Sequence, residues 1–317
     1  DVSEEARRPD FPLPRVLAGL FTVITRLYGV RIVARPGVDV YHPDVRYFDV
    51  TDAKTGAFLS GFYLDLFPRE GKYNHAAAFP VRGVSTLAKR TPISVLVTNF
   101  DRQGLDHREM ETLLHEFGHV LHGVLSRTAY NPHAGTSTPR DFVEAPSQMF
   151  EEWVRREQPL SLFAKVCPEC PRLSKEEIAR LEDARRYGQG LRYARQWLYA
   201  AYDMALSTDP QPAMALWKKM ESATPLGHVE GTMFPASFSH IAAHYASGYY
   251  GYMWSEVLAL DMLSKFRKDM LDPKVGHFYR DTILAQGGQV EPAAMVRRFL
   301  GREPSSKAFF AEITGKR

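Results

Sequence analysis

The chain has 317 residues, 44% of them apolar, which is enough for one large domain or two and excludes a disordered polymer. Its 40 lysines and arginines stand against 37 acids, a net charge of +3 with both signs mixed, so no basic stripe argues for nucleic acid. The longest apolar run near the N-terminus, Val16 to Ile24, is bounded by Arg15 and Arg26 and is too short to span a bilayer, so no membrane partner is expected.

The first 14 residues are charged and carry Pro9, Pro12 and Pro14, which reads as a poorly ordered lead-in. Val16, Leu17, Leu20, Val23, Ile24 and Leu27 then repeat at helical spacing from Arg15 to Tyr28, with Gly29 as the stop. Residues 31–100 have a β texture. Arg46 to Val50 and Ala57 to Leu66 read as strands around the turn Thr51 to Gly56, and Ile93 to Val97 is a third. A sheet edge here either holds an extended peptide by backbone hydrogen bonds or merely covers the core.

Residues 106–317 read as helical. Asp106 caps a helix with Glu109 as its capping-box partner, and Met110, Leu113, Leu114, Phe117, Val120, Leu121, Val124 and Leu125 form its apolar stripe. Gly118 in its middle costs roughly 1 kcal/mol against alanine, which points to close backbone approach. The same helix carries His115-Glu116-Phe117-Gly118-His119. Histidines four apart share a face and can share one metal ion. Glu116 is rotated off that face and is suited to take a proton from an attacking water, the zinc metalloprotease arrangement. Such a pentad arises by chance in roughly 2% of chains of this composition, so context decides.

A catalytic zinc needs a third protein ligand. The longer pattern with a third histidine fails, because positions 122 and 125 hold His122 and Leu125; His122 reads as a packing or water-binding residue. The next segment, Arg140 to Glu157, reads as helical with Pro146 in a first turn or at a kink, and offers Glu144, Glu151 and Glu152. Spacing does not choose among them, though Glu144 sits between Val143 and Ala145, where an unpaired carboxylate is costly. Glu111, one turn before His115, either orients that imidazole or is a solvated surface residue.

Cys167 and Cys170 form a lone Cys-Pro-Glu-Cys. A zinc ribbon needs a second pair, so the motif reads as a loop in a reducing compartment, and a cytoplasmic location is expected. Helices follow at Ser174 to Leu206, interrupted near Gly188 and Gly190, at Gln211 to Ala223, and at Trp254 to Met270, with three short pieces after that. No internal repeat or linker divides the chain, so residues 1–317 read as a single, predominantly α domain with a small β-sheet.

Four long motifs carry a family resemblance: FYLDLFPREGKYNHAAAF from Phe62 to Phe79, HEFGHVLH from His115 to His122, DFVEAPSQMFEEW from Asp141 to Trp153, and FPASFSHIAAHYASGYYGYMWSEVLALDM from Phe234 to Met262. Together they resemble the thimet oligopeptidase family of zinc peptidases, family M3. The resemblance implies a zincin-like metallopeptidase catalytic domain with one zinc ion per chain on His115, His119 and Glu144. It implies Glu116 as the base, peptides as the partner, and a substrate loop in which His240, Tyr245, Tyr249 and Tyr252 face the scissile bond. Tyr252 first and Tyr249 second are the expected oxyanion partners, while Tyr250 packs.

Two departures qualify the resemblance. Ala243-His244 stands where the family has a glycine pair, which reduces loop freedom. Typical members also carry an N-terminal helical half that walls a channel; this chain, which opens at Asp1 without a methionine, lacks it. The expectation is an endopeptidase with an open cleft and relaxed limits on peptide size, with self-association or the missing half as a further partner. The alternative is a zinc- and peptide-binding fragment with little turnover. A zinc aminopeptidase is disfavoured, because its acidic anchor for a free amine, often in a GAMEN-type motif, is missing.

Overall fold

The computed structural model describes residues 8–9, 11–160, 174–208, 211–243 and 245–315. Cys167, Cys170, His244 and most of the predicted lead-in lie outside the described residues. The first helix, α1 (Leu13–Tyr28), begins two residues before its predicted start, since proline in a first turn lacks only a donor that the helix does not need. Gly29 closes it at φ +65°, as glycine does without steric cost. Ahead of it, the Arg8 guanidinium bonds Asp106 at 3.1 Å and also reaches Glu109, so the described part of the lead-in is tied down.

The β texture resolves into a five-stranded mixed sheet, β1 (Val30–Ala34), β2 (Arg46–Asp52), β3 (Phe58–Asp65), β4 (Ala77–Arg82) and β5 (Ile93–Val97), in the order β1-β2-β3-β5-β4. The β3–β5 pairing is parallel and the others antiparallel. Sequence reading missed β1 and β4, the two edges. Pro80 interrupts β4, and proline is tolerated there because an edge strand leaves one row of backbone groups unpaired. The predicted turn joins β2 to β3, with Asp52 Oδ1 accepting the Thr55 amide at 2.8 Å. On one face Phe48 and Phe62 stack at 5.4 Å, and Phe117 meets Phe62 edge-on at 5.3 Å, which joins the sheet to the next helix.

That helix, α2 (His107–Val124), is capped as predicted: Asp106 accepts from the Glu109 amide and Glu109 returns the bond to the Asp106 amide. Its apolar stripe is buried against the sheet and against α4 (Ala145–Glu151), which follows the short α3 (Arg140–Val143). Pro146 stands in the first turn of α4, and the break before it leaves Glu144 at the junction of the two helices. A Cβ on Gly118 would lie 2.6 Å from Ser147 Cα, so glycine is what lets α2 and α4 cross this closely.

Further α-helices among the described residues are α5 (Lys175–Arg186), α6 (Gln189–Thr208), α7 (Ala213–Ser222), α8 (Phe234–Ser237), α9 (Ser239–Ala242), α10 (Gly251–Leu263), α11 (Pro273–Thr282), α12 (Pro292–Leu300) and α13 (Lys307–Thr314). The predicted helix from Trp254 instead starts at Gly251 and ends at Leu263. One buried apolar cluster runs from Leu13 to Phe309, and a smaller one joins α6 to α7 through Leu198, Tyr202, Leu216 and Trp217. Among the described residues, no helix is long and apolar enough to cross a membrane.

Candidate active site

About one turn of α2 separates His115 from His119 and so brings them to one face, with ring centroids 5.1 Å apart. From the α3–α4 junction Glu144 projects between them. Its Oε2 lies 3.2 Å from His115 Nε2 and 3.1 Å from His119 Nε2. Among the described residues these three form the one group whose ligand atoms converge, all within 4.8 Å of one another. Of the three glutamates that spacing left open, Glu144 is therefore the one that meets both imidazoles. Burial raises its pKa, but the two imidazoles outweigh this and hold it well below the usual carboxylate range.

The donor set fits a zinc ion. Two ligands at about 2.0–2.1 Å from a tetrahedral zinc are about 3.3 Å apart, close to both separations found here. Each side chain also has its supporting contacts. Ser147 Oγ donates to Glu144 Oε2 at 3.0 Å, and the Tyr245 hydroxyl donates to Glu144 Oε1. His115 Nδ1 donates to Glu151 Oε1 at 2.7 Å, which directs Nε2 at Glu144 and makes it the nitrogen that would hold a metal. Glu116, 9% exposed, lies outside the converging set, rotated off the face that carries the two histidines.

Glu111 does not orient His115. It accepts from Arg155 Nε at 2.9 Å, and Arg155 also binds Glu151 at 2.6 Å and Glu152 at 2.9 Å. Glu151, weighed from the sequence only as a ligand, is the residue that orients His115; no local spacing rule reveals a contact made across two helices. His122 is fully buried with neither ring nitrogen hydrogen-bonded to protein, and burial followed by His119 pushes its pKa down to about 3. It is a packed, neutral imidazole.

The tyrosine loop closes over this group. Tyr245 and Tyr252 stack at 4.7 Å, and the ring of His240 lies 5.9 Å from Tyr245 and 5.8 Å from Tyr252. Burial first, then Glu144, raises the pKa of both Tyr245 and Tyr252, so each phenol is a hydrogen-bond donor at neutral pH. Burial lowers the His240 pKa against a smaller opposing pull from Glu144. Tyr249 departs from the expected arrangement: it is buried, and its hydroxyl donates to Gln196 Oε1 on α6 at 3.1 Å. Tyr250 bonds Asp141 at 3.1 Å on the outer side of α3. A groove between β4 and α2 is lined by Phe79, Arg82, Ser94, Gly123 and Gly135 and reaches His119 of the converging group.

The protein family model for peptidase family M3 matches residues 1–314. The chain is 35% identical to oligopeptidase A of Escherichia coli (strain K12), covering 97% of this chain and 48% of that protein. It is 33% identical to saccharolysin of Saccharomyces cerevisiae, covering 96% and 46%. The chain thus spans about half the length of the curated relatives it matches. Among solved structures, PZ peptidase A with inhibitor 2 superposes with a TM-score of 0.55 at 17% identity, covering 80% of this chain and 42% of that one. The M32 carboxypeptidase of Deinococcus radiodurans R1 superposes with a TM-score of 0.58 at 13% identity, covering 96% and 59%. These two structures share the fold, a predominantly α metallopeptidase architecture with a small mixed sheet. With the family model matched along almost its whole length, the chain belongs to peptidase family M3.

Proposed function

We propose that the chain is a zinc-dependent endopeptidase that hydrolyses internal bonds of oligopeptides. The observation that carries this reading is the convergence of His115, His119 and Glu144, with Glu116 on the same helix and the Tyr245–Tyr252 pair above. When bound, zinc supplies Lewis acidity, polarising the scissile carbonyl and lowering the pKa of a water molecule. Glu116 takes the proton of the attacking water and returns it to the leaving amine. Tyr252, with His240 beside it, donates to the oxyanion as charge develops there. Tyr245 holds Glu144 through Oε1 and so keeps Oε2 directed at the imidazoles.

The unpaired edge of β4 fits an extended peptide, which would add to the sheet as a further strand across the mouth of the groove. Such binding needs no free terminus, which favours cleavage within a chain over removal of its first residue. A second reading of the same site is a zinc- and peptide-binding fragment with little turnover.

One experiment separates these readings. The zinc-loaded chain is mixed with an N-terminally blocked, internally quenched peptide. Turnover supports the endopeptidase; peptide binding without turnover supports the fragment; failure to bind zinc rejects both.

A further inference from the structure

Helix α6 carries a buried carboxylate that the hydrolytic chemistry does not use. Asp203 is 2% exposed, and its Oδ1 and Oδ2 accept the backbone amides of Ser247 and Tyr249 at 2.8 and 3.0 Å. Two turns earlier on the same face of α6, Gln196 accepts the Tyr249 hydroxyl at 3.1 Å. A third contact joins the Ser247 and Ser207 hydroxyls. Ser247 has φ +57°, a left-handed conformation that a serine keeps only when its surroundings hold it.

The clamped turn lies between Tyr245 and Tyr252, the two rings that stack above Glu144. We propose that Asp203 is a positioning residue, fixing the Ser247–Tyr249 turn so that both tyrosines are presented to the metal-binding residues at once. Its two carboxylate oxygens bind two amides two residues apart, as a single acceptor could not. The charge-assisted pair of bonds offsets the conformational cost of ordering the turn. Helix α6 is a firm base for this grip, because its Leu198 and Tyr202 pack into the core shared with Trp217 of α7. The link from the clamp to catalysis rests on the endopeptidase reading; the clamp itself does not.

Residue-resolved hydrogen–deuterium exchange on the unmodified chain tests the clamp without any variant. Ser247 and Tyr249 amides are expected to exchange as slowly as those of α6, because each donates to the buried Asp203 carboxylate. Exchange at the rate of an open loop overturns the proposal.

Asp203→Asn offers one acceptor and turns an NH2 group toward the other amide. It should accelerate exchange at Ser247 and Tyr249 about tenfold or more, leaving α2 unchanged. In the zinc-loaded chain it should lower kcat on the quenched peptide by about tenfold, with a smaller change in KM. Asp203→Glu, again a double acceptor, should recover part of both. Unchanged loop exchange in Asp203→Asn, or acceleration spread equally over α2 and the sheet, contradicts a positioning role. If even the unmodified chain turns nothing over, the endopeptidase reading fails while the exchange data still decide the clamp.

Discussion

His115 Nδ1 lies 2.7 Å from Glu151 Oε1, and the other oxygen of that carboxylate accepts from Arg155 Nη2 at 2.6 Å. The imidazole is thereby fixed in orientation and tautomer by a carboxylate that is itself anchored, the arrangement that raises the basicity of a metal-binding histidine. Glu151→Ala should weaken zinc affinity by about 10- to 100-fold. Competition with a chelator measures this. The same variant leaves Arg155 with Glu111 and Glu152, so the fold should survive.

The crossing of α2 and α4 depends on Gly118. A methyl group there meets Ser147 Cα at 2.6 Å and Pro146 O at 3.1 Å, both backbone atoms that cannot step aside. Gly118→Ala should therefore destabilise the chain by about 1–3 kcal/mol despite alanine's better helix propensity. It should also weaken zinc binding, because Glu144 and Ser147 move together. Gly190→Ala in α6, with nothing within 4 Å of the added Cβ, is the control and should not destabilise. Urea midpoints and chelator competition on both variants check the pair.

How much of this was legible in the sequence depended on the range of each interaction. The capping box at Asp106 and Glu109, the paired histidines and the close approach at Gly118 are local patterns, and the structure reproduces each. Glu144 needed the resemblance, since spacing ranked it no higher than Glu151 or Glu152. What orients His115 was left open, with Glu111 as either its partner or a solvated residue; Glu111 lies one turn away on α2 yet turns to Arg155, while Glu151 reaches in from α4. The edge strands β1 and β4 were missed, although Pro80 is the kind of residue an edge tolerates. Asp203 gave no signal, because its partners are amides of a turn far along the chain.

Glu152 gives a pH dependence with a definite sign. Burial raises its pKa, but Arg155, Arg156 and Arg185 outweigh this and bring it down from 4.5 to about 2. A carboxylate whose folded pKa is depressed contributes stability that is complete above its unfolded pKa and lost as pH falls through the folded one. The contribution is on the order of 3 kcal/mol, present above about pH 4.5 and gone near pH 2. Urea unfolding of the metal-free chain and of Glu152→Gln across this range should show the stability gap narrowing as pH falls. A gap that stays constant would show that ionisation of Glu152 is not its source.

The loop tyrosines should rank by where their hydroxyls point. Tyr252→Phe removes the proposed oxyanion donor and should lower kcat by about 10²- to 10³-fold with little effect on zinc affinity. Tyr249→Phe loses only the bond to Gln196 and should cost far less activity. Tyr245→Phe loses the bond to Glu144 and should appear in zinc affinity as well as in rate. Steady-state kinetics beside metal titrations separate the three.

The most direct measurement compares the chain with Glu116→Gln at equal zinc loading on one blocked, internally quenched peptide. Glutamine keeps the shape of the side chain but cannot take a proton from water, so zinc should bind to both and kcat should fall by about 10²- to 10⁴-fold in the variant. Equal rates in the two proteins, with zinc bound in each, would contradict Glu116 as the base and with it the mechanism built on His115, His119 and Glu144.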